Sequence, residues 1–418
     1  MARIGAEGEG VGEAADGSPR YVRGVLAGET ATVIPGPRRG KGRAATLVSI
    51  DRPSADRIAP PCPHFGICGG CALQHWREEA YQGWKAGLLA EALARAGFAG
   101  AAIAPLVAGT PAMRRRLDFA ARRTHRGVAL GLHRAGSEEV VDLSTCLVLH
   151  PTLQALIAPL RDLLLRLDGL RRAGDAVANL LDDGIDLLLR LDGEASLGDR
   201  QRMVAFARET GLLRLSLAGR GAATPEPVAV LRRPVITLSG IAVTPPPGAF
   251  LQAGAATEAA IIAAVLAGLP ARLKRGPIAD LYAGCGTLSC ALAARAPVVA
   301  FEGAAELVAA LRHAAGAQGM AGRITATARD LARQPLQMAE LARFSAIVLD
   351  PPHAGAAAQV PAIAAARAKY VIYVSCNPQA LARDLMPFKA AGYRVTAASP
   401  IDQFVFSARL ESVVVLEI

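Results

Sequence analysis

Cys376 stands at the end of the apolar run KYVIYVS and is followed by Asn-Pro. Val, Ile and Tyr are enriched in strands and Asn-Pro favours a turn, so we predict that a buried strand ends at this cysteine. A thiolate at such an edge can act as a nucleophile. Because an isolated cysteine is more often a small buried apolar residue, the neighbouring motifs have to decide between the two interpretations.

Asp350 occupies the equivalent position after a second apolar run, FSAIVL, and two prolines follow it. The prolines stiffen the loop and remove two backbone N–H donors from it. Ligands bind at the carboxyl edge of parallel sheets. If the two strands are neighbours, Asp350 and Cys376 lie together at that edge, which favours the nucleophile interpretation for Cys376.

A glycine-rich turn precedes both motifs in the chain. In DLYAGCGTLS, Gly284 and Gly286 form a first βα turn that exposes backbone N–H groups at a helix N-terminus. Glu302 falls at the end of the next predicted strand, where a carboxylate can accept both ribose hydroxyls of a nucleoside cofactor. The P-loop lysine is absent, which disfavours a nucleoside triphosphate. A dinucleotide stays possible, but Asp-x-x-x-Gly-x-Gly is typical of S-adenosylmethionine (SAM) binding in Rossmann-like methyltransferases.

Four further cysteines could hold a metal. Cys62, Cys68 and Cys71 are spaced C-x5-C-x2-C in CPHFGICGGC, and Cys146 is the fourth candidate. Four thiolates can bind a [4Fe-4S] cluster or a tetrahedral zinc ion. Zinc sites generally contain two C-x2-C pairs and only one is present here, so the spacing favours iron-sulfur over zinc. The spacing of radical-SAM proteins is not matched.

The elements that position these residues divide into three predicted domains. Residues 1–60 alternate short β-like runs with glycine turns, which predicts a small β-barrel. Residues 61–245 form a mixed α+β region that carries the cysteine cluster. From residue 246 to residue 418 apolar strands alternate with helices, and this pattern predicts an α/β domain with a doubly wound parallel sheet.

The chain of 418 residues has a hydrophobic fraction of 52% and a net charge of +10. Basic residues cluster in GPRRGKGR, MRRRLDFAARRTHR and LRR, which favours a nucleic-acid partner. No apolar run is long enough to span a membrane, and the N-terminus lacks the apolar core of a signal peptide. Seven cysteines, an odd number, argue against a disulfide framework. We therefore expect a cytoplasmic protein without membrane contact.

Taken together, these motifs resemble the RNA uridine carbon-5 methyltransferases, particularly the iron-sulfur branch that acts on bacterial 23S ribosomal RNA. YVSCNPQALARDL is similar to the nucleophile motif of that family, and FSAIVLDPPHAG is similar to its Asp-Pro-Pro-Arg motif. DLYAGCGTLS and AFEG resemble its SAM loop and ribose carboxylate, GAFLQAG its Phe-x-Gln segment, and ARDL the acidic residue near the adenine. FVFSARLESVVVL resembles the segment of the general base, and the first sixty residues resemble the RNA-binding β-barrel called a TRAM domain.

The resemblance implies a role for each matching residue. Cys376 would be the nucleophile that adds to carbon 6 of uracil, and Glu411 would be the base that removes the proton from carbon 5. The implied SAM site comprises Gln252, Tyr282, Gly284, Gly286, Glu302, Asp330 and Asp350. The implied [4Fe-4S] ligands are Cys62, Cys68, Cys71 and Cys146.

The chain departs from the family pattern at three places. His353 replaces the arginine after Asp-Pro-Pro, Gly254 replaces the asparagine after the Phe-x-Gln segment, and Arg409-Leu410 stands where the family often has His-Val. None of these positions is the nucleophile or the base. The departures concern how the pocket is lined.

The implied partner is RNA, with a uridine flipped out of its stack. Ribosomal RNA is favoured over transfer RNA because many transfer RNA relatives lack the TRAM-like domain and the cysteine cluster. We expect a monomer without a protein partner. Two alternatives stay open: an amino methyltransferase, which would need no cysteine and usually has Tyr or Phe at the position of His353, and a non-catalytic RNA-binding protein on a methyltransferase fold.

Overall fold

The computed structural model describes residues 1–14, 16–219, 224–273 and 276–418. Its first part is a five-stranded sheet in the order β1-β2-β3-β5-β4, consistent with the small barrel predicted for the N-terminus. The strands are β1 (Arg3–Ile4), β2 (Gly10–Glu13), β3 (Pro19–Val22), β4 (Thr30–Arg39) and β5 (Gly42–Arg52). The basic segment GPRRGKGR forms the tip of the β4–β5 hairpin, where Arg38, Lys41 and Arg43 are exposed.

The central part is a seven-stranded sheet in the order β12-β11-β10-β9-β6-β7-β8, and a short hairpin, β13-β14, follows it. Apolar residues on one face of the helices α3 and α4 pack on this sheet to form one core. The elements are α1 (Glu78–Arg95), β6 (Arg116–Thr124), β7 (Gly127–His133), β8 (Val140–Asp142), α2 (Pro151–Ala155), α3 (Ile157–Arg166), β9 (Ala173–Leu181), β10 (Gly184–Leu191), α4 (Leu197–Glu209), β11 (Arg214–Gly219), β12 (Glu226–Val230), β13 (Ile236–Leu238) and β14 (Ile241–Val243).

The C-terminal part is the doubly wound sheet that the sequence predicts. Its elements are α5 (Ala255–Ala267), β15 (Ile278–Leu281), α6 (Thr287–Leu292), β16 (Val298–Glu302), α7 (Ala305–Ala317), β17 (Ile324–Ala328), α8 (Met338–Leu341), β18 (Ala346–Leu349), α9 (Val360–Ala365), β19 (Tyr370–Ser375), α10 (Pro378–Ala390), β20 (Arg394–Ile401) and β21 (Glu411–Glu417). The strand order is β17-β16-β15-β18-β19-β21-β20. The first five strands are parallel, and β21 is antiparallel to both of its neighbours.

Two apolar cores cover the faces of this sheet, because its central strands are buried on both sides. The core on one face includes Leu89 and Leu93 of α1, so this helix of the cysteine region packs on the C-terminal sheet. Among the described residues, no helix combines the length and the apolarity needed to cross a membrane. The three domain boundaries given above stay a prediction.

Candidate active site

Asp350 and Cys376 lie at the same edge of the sheet. Asp350 directly follows β18 and Cys376 directly follows β19. The two strands pair in parallel, so their carboxyl ends are adjacent, as the sequence predicts. Glu411 reaches this edge from the opposite direction because it begins the antiparallel strand β21. In the β19–β21 ladder Ser375 faces Ser412. The residues that come next at this end of the two strands are Cys376 and Glu411.

The glycine turn after β15 has a backbone that few residue types can adopt. Tyr282 has a φ of 64° and Gly286 has a φ of 102°. A side chain on Gly286 would place its Cβ only 2.5 Å from a methyl group of Leu311. The sequence therefore needs glycine here to bring the start of α6 close to the sheet edge.

Glu302, the last residue of β16, closes one side of this turn. Its Oε2 accepts the N–H of Gly284 at 2.9 Å, and its Oε1 accepts the N–H of Ala304 at 2.9 Å. Each carboxylate oxygen has a second acceptor site, so Glu302 is fixed in place and still able to accept hydroxyl groups. The remaining acceptor sites of Glu302 therefore fit the ribose hydroxyls of a nucleoside cofactor.

Two aspartates lie near the glycine turn. Asp280 is inside the sheet and Asp330 is outside it. Asp280 lies within β15, and its Oδ2 accepts the hydroxyl of Ser289 at 2.5 Å. Burial raises the pKa of Asp280 to about 7. Asp330 is exposed, two residues after β17, and its Oδ1 accepts the N–H of Ala332 at 3.0 Å. Burial of Tyr282, together with the negative charges of Asp384 and Asp330, raises the tyrosine pKa to about 12.

A chain of buried amides connects Asp350 with Glu411. Gln252 donates to Asp350 Oδ2 at 3.1 Å, and Gln403 donates both to Gln252 Oε1 at 2.7 Å and to Glu411 Oε2 at 3.0 Å. The carbonyl oxygen of Gln403 accepts the N–H of Ala253 at 3.0 Å, which fixes the orientation of its amide. Sequence reasoning missed Gln403. The available signal was an amide side chain within the segment SPIDQF. The structure shows that Gln403 is only 2% exposed.

Burial controls the protonation of both carboxyl groups. It raises the pKa of Asp350 to about 6, against the hydrogen bond from Gln252. The pKa of Glu411 is raised well above its ordinary value, first by burial and then by the charge of Asp350, while the hydrogen bond from Gln403 lowers it. Among the residues that the structure describes, Glu411 Oε1 has no hydrogen-bond partner. Glu411 therefore has the features of a group that exchanges a proton with a ligand.

Cys376 is half-buried between charges of both signs. Burial, followed by the negative charges of Glu411 and Asp350, raises the pKa of its thiol to about 12, and Arg409 opposes this shift. Its Sγ lies 3.7 Å from Nδ1 of His353. Cys285 and Cys290, by contrast, are enclosed in the apolar core.

A cleft of about 980 Å³ joins Cys376 to the four remaining cysteines. Cys62, Cys68, Cys71 and Cys146 all contribute to its lining. Burial raises the pKa of Cys71 to about 12, and the proximity of the other three thiols adds to this effect. In the described ranges, no three His, Cys, Asp or Glu side chains lie close enough to hold a single metal ion. The structure thus brings the four predicted ligands to one cleft without showing a metal site.

The segment 402–410, which leads into Glu411, is held by the cysteine region. Lys85 of α1 is fully buried, and its Nζ donates to Asp402 Oδ1 at 2.7 Å and to the carbonyl oxygens of Phe404 and Arg409. Tyr81 donates to Asp402 Oδ2 at 2.7 Å.

The loop of the cysteine cluster holds the same segment. The backbone N–H groups of Ala72 and Leu73 donate to the carbonyl oxygen of Phe406 at 2.8 and 3.0 Å. These contacts were not foreseen from the sequence, because nothing near Lys85 in the chain indicates a distant carboxylate.

A parallel sheet with one reversed strand near its end, a glycine turn and a carboxylate after the second strand are the features of a Rossmann-like SAM-dependent methyltransferase. The model of the tRNA (uracil-5-)-methyltransferase family matches residues 245–418. An uncharacterized RNA methyltransferase of Brucella suis is 39% identical over 99% of this chain and 96% of its own length. A 23S rRNA (uracil(1939)-C(5))-methyltransferase of Edwardsiella ictaluri is 35% identical over 99% of this chain and 94% of its own.

A solved structure has the same fold. The tRNA (uracil-54, C5)-methyltransferase of Pyrococcus abyssi, in complex with S-adenosyl-L-homocysteine, superposes with a TM-score of 0.73 over 100% of this chain and 99% of its own, at 19% identity. That identity shows the fold alone. The relatives show the family: the chain belongs to the SAM-dependent RNA uracil-C5 methyltransferases.

Proposed function

We propose that this protein methylates carbon 5 of a specific uridine in RNA through a covalent adduct with Cys376, and that the RNA is 23S ribosomal RNA. The observation that carries the proposal is the meeting of Cys376 and Glu411 at the end of the β19–β21 ladder, beside Asp350. Cys376 lines a cleft that is open to a large ligand, and the buried Glu411 lies beside it at the end of the same ladder.

Each residue has a defined task in this reaction. The thiolate of Cys376 adds to carbon 6 of uracil, and the electron pair of the ring double bond moves onto the carbonyl oxygen of carbon 4, which makes carbon 5 nucleophilic. SAM, when bound, supplies the methyl group for carbon 5. Glu411 then takes the proton from carbon 5, the double bond forms again, and the bond between Sγ and carbon 6 breaks to release the thiolate. Glu411 has to be ionised to accept that proton, so its raised pKa matches it to the task.

The SAM site is proposed at the carboxyl edge of the sheet. Glu302 would accept the ribose hydroxyls, and Gly284 and Gly286 would allow close approach to the backbone of the turn. Tyr282 and Asp330 lie on the adenine side, and Gln252 and Asp350 face the reacting centre. This assignment is supported by the fixed carboxylate of Glu302 and by the lack of room for a side chain on Gly286.

The four cysteines are proposed to hold a [4Fe-4S] cluster through Cys62, Cys68, Cys71 and Cys146. All four line one end of the cleft, and each thiolate of such a cluster binds a different iron atom, so the thiols need not converge on one point. When bound, the cluster would fix the loop that contacts Phe406. Protein purified without air is expected to be brown and to contain iron and sulfide in equal amounts. A colourless protein that contains zinc would contradict this assignment.

Ribosomal RNA is favoured as the substrate for two reasons. The relative that acts on 23S rRNA is similar over nearly the whole length of this chain, including the TRAM-like sheet and the cysteine region. The cleft is also lined by arginines from all parts of the chain, which suits a folded polyanion: Arg3, Arg23, Arg39, Arg95, Arg114 and Arg409. Transfer RNA is the alternative, and the name of the matching family model supports it. For either substrate, the proposed enzyme is a monomer that works in the cytoplasm.

The test is to map 5-methyluridine in separated ribosomal and transfer RNA from a strain that lacks the gene. One uridine of 23S rRNA is expected to lose its methyl group. The wild-type gene should restore the modification, and a gene encoding Cys376→Ala should not. Loss from transfer RNA alone would move the proposal to the alternative substrate, and an unchanged pattern in both would refute the function.

A further inference from the structure

His353 lies against the sulfur of the proposed nucleophile. It follows Asp350 and two prolines at the end of β18, and its Nδ1 is 3.7 Å from Cys376 Sγ. Sulfur accepts hydrogen bonds at such distances because its radius is larger than that of oxygen. His353 is exposed at the rim of the cleft, so its ring does not serve the packing of the core.

The orientation of the imidazole is fixed by Asn377. The Oδ1 of Asn377 caps α10 by accepting the N–H of Gln379 at 3.0 Å, so its Nδ2 has to face the other way. Nδ2 donates to the carbonyl oxygen of His353 at 2.9 Å and lies 3.4 Å from Nε2 of the ring. Because Nδ2 carries hydrogens, the Nε2 that faces it is the nitrogen without a proton.

The proton of the neutral ring is therefore on Nδ1, and it points at the sulfur. Partial burial of the ring and, after it, the positive charge of Arg409 lower the pKa of His353, which favours the neutral imidazole. The other charged groups around the sulfur are Asp350, on the same loop, and Glu411, on β21, and both oppose ionisation of the thiol. Because Asp350 and Glu411 disfavour the thiolate, a hydrogen-bond donor at the sulfur would stabilise it.

We infer that His353 donates a hydrogen bond from Nδ1 to the sulfur of Cys376 and stabilises the thiolate both when it attacks and when it leaves. This inference rests on the proposed function for its biological meaning. It gives His353 the role of a neutral donor at the position where the resembled family has an arginine. The role makes His353 a catalytic residue, because it contacts a reacting atom.

The test measures the reactivity of Cys376 without RNA, in full-length protein purified without air. Neutral iodoacetamide is used as the reagent, since it is not repelled by Asp350 or Glu411. Alkylation is followed by mass spectrometry of the tryptic peptide 370–383, in which Cys376 is the only cysteine. The rate is measured as a function of pH for the wild type and for His353→Phe, His353→Gln and His353→Arg.

His353→Phe removes the donor, and the alkylation rate at a fixed pH is expected to fall by about 10- to 100-fold, as for the loss of a hydrogen bond to a charged group. The apparent pKa of Cys376 should rise correspondingly. His353→Gln and His353→Arg keep a donor and should recover most of the rate. The matched control is His313→Phe, which changes an exposed histidine on α7 and should behave as the wild type.

Two results would overturn the inference. The first is a His353→Phe variant that is folded by circular dichroism and alkylated at the wild-type rate. The second is a rate in the wild type that follows titration of the imidazole and is lost in His353→Gln, because the ring would then act as a base. If the wild type fails to methylate RNA while His353→Phe slows alkylation, the inference about His353 stands and the proposed function fails.

Discussion

Glu302 and Glu411 are two glutamates at the same edge of one sheet, and their surroundings differ in almost every respect. Glu302 is partly exposed at the end of β16, and both of its oxygens accept backbone N–H groups. Glu411 is buried at the start of β21, where one oxygen accepts from Gln403 and the other has no partner in the described part of the chain. The first carboxylate is held in place by its neighbours, and the second has one oxygen free for a ligand.

The difference separates binding from proton transfer. A carboxylate that is held in place by fixed donors can recognise hydroxyl groups through its remaining acceptor sites. A carboxyl group that is buried beside another acid has a raised pKa, which makes it a better acceptor for a proton. In the proposed function the same residue type therefore serves two purposes at one edge, and four changes test this contrast.

Glu411→Gln is expected to have the largest effect. The amide cannot accept the proton from carbon 5, so turnover should fall by about 10²- to 10⁴-fold. The methylated adduct between protein and RNA should accumulate and be visible as a shifted band on a denaturing gel. SAM affinity should stay as in the wild type.

Glu417→Gln, at the other end of β21, is the control for this change and should leave turnover intact. Normal turnover in Glu411→Gln would end the assignment of Glu411 as the base.

Lys85→Met tests whether the base is held from a distance. The change leaves Asp402 buried without its cation, which is expected to cost about 3–5 kcal/mol in the free energy of unfolding. The double variant with Asp402→Asn should recover part of this loss, since both charges are then removed. Chemical denaturation measures both values.

The exposed Lys41→Met serves as the control for Lys85→Met. An equal loss of stability in the single and double variants would show that the ion pair does not hold the segment 402–410.

Glu302→Gln should weaken SAM binding by about 10- to 100-fold, because one oxygen that accepts a backbone N–H becomes an NH₂ group facing that donor. Isothermal titration calorimetry gives the dissociation constant. At saturating SAM no adduct should accumulate, in contrast to Glu411→Gln.

Glu306→Gln, in the first turn of α7, is the control and should bind SAM normally. Unchanged SAM affinity in Glu302→Gln would remove Glu302 from the binding site.

Gln403→Leu is expected to have the smallest effect, about tenfold at a fixed pH. Gln403 lowers the pKa of Glu411 by donating to its ionised form, so loss of this donor raises that pKa further. Glu411 has to be ionised to act, so activity falls as the pH drops through its pKa. The acidic limb of the pH–rate profile should therefore move to higher pH.

Gln403→Leu also removes the acceptor of the Ala253 N–H, so the SAM affinity of this variant is measured as an internal check. A profile that coincides with that of the wild type would show that Gln403 does not control the base.

The residues at the ends of parallel strands could be predicted from the sequence. The runs before Asp350 and Cys376 are apolar because these strands are buried on both faces, and such runs are recognisable without any tertiary information. Their adjacency followed from the usual order of a doubly wound sheet, and the ladder between β18 and β19 confirms it.

The support around Glu411 could not be predicted. Lys85 and Asp402 are separated by 317 residues, and no local pattern links them. Gln403 belongs to none of the motifs recognised in the sequence, and its contacts with Gln252 and Glu411 give it a role. Contacts between distant residues depend on how helix α1 docks on the sheet, which is a property of the complete fold.

The sequence by itself determined the class of sheet, the strand ends that carry Asp350 and Cys376, and the glycine turn before α6. These features depend on residue type and on neighbours along the chain. The tertiary structure alone decided that Glu411 faces Cys376 at the end of an antiparallel ladder and that its pKa is raised. Register and burial set the distance between charges and their access to water, and neither quantity exists until the distant parts of the chain have packed together.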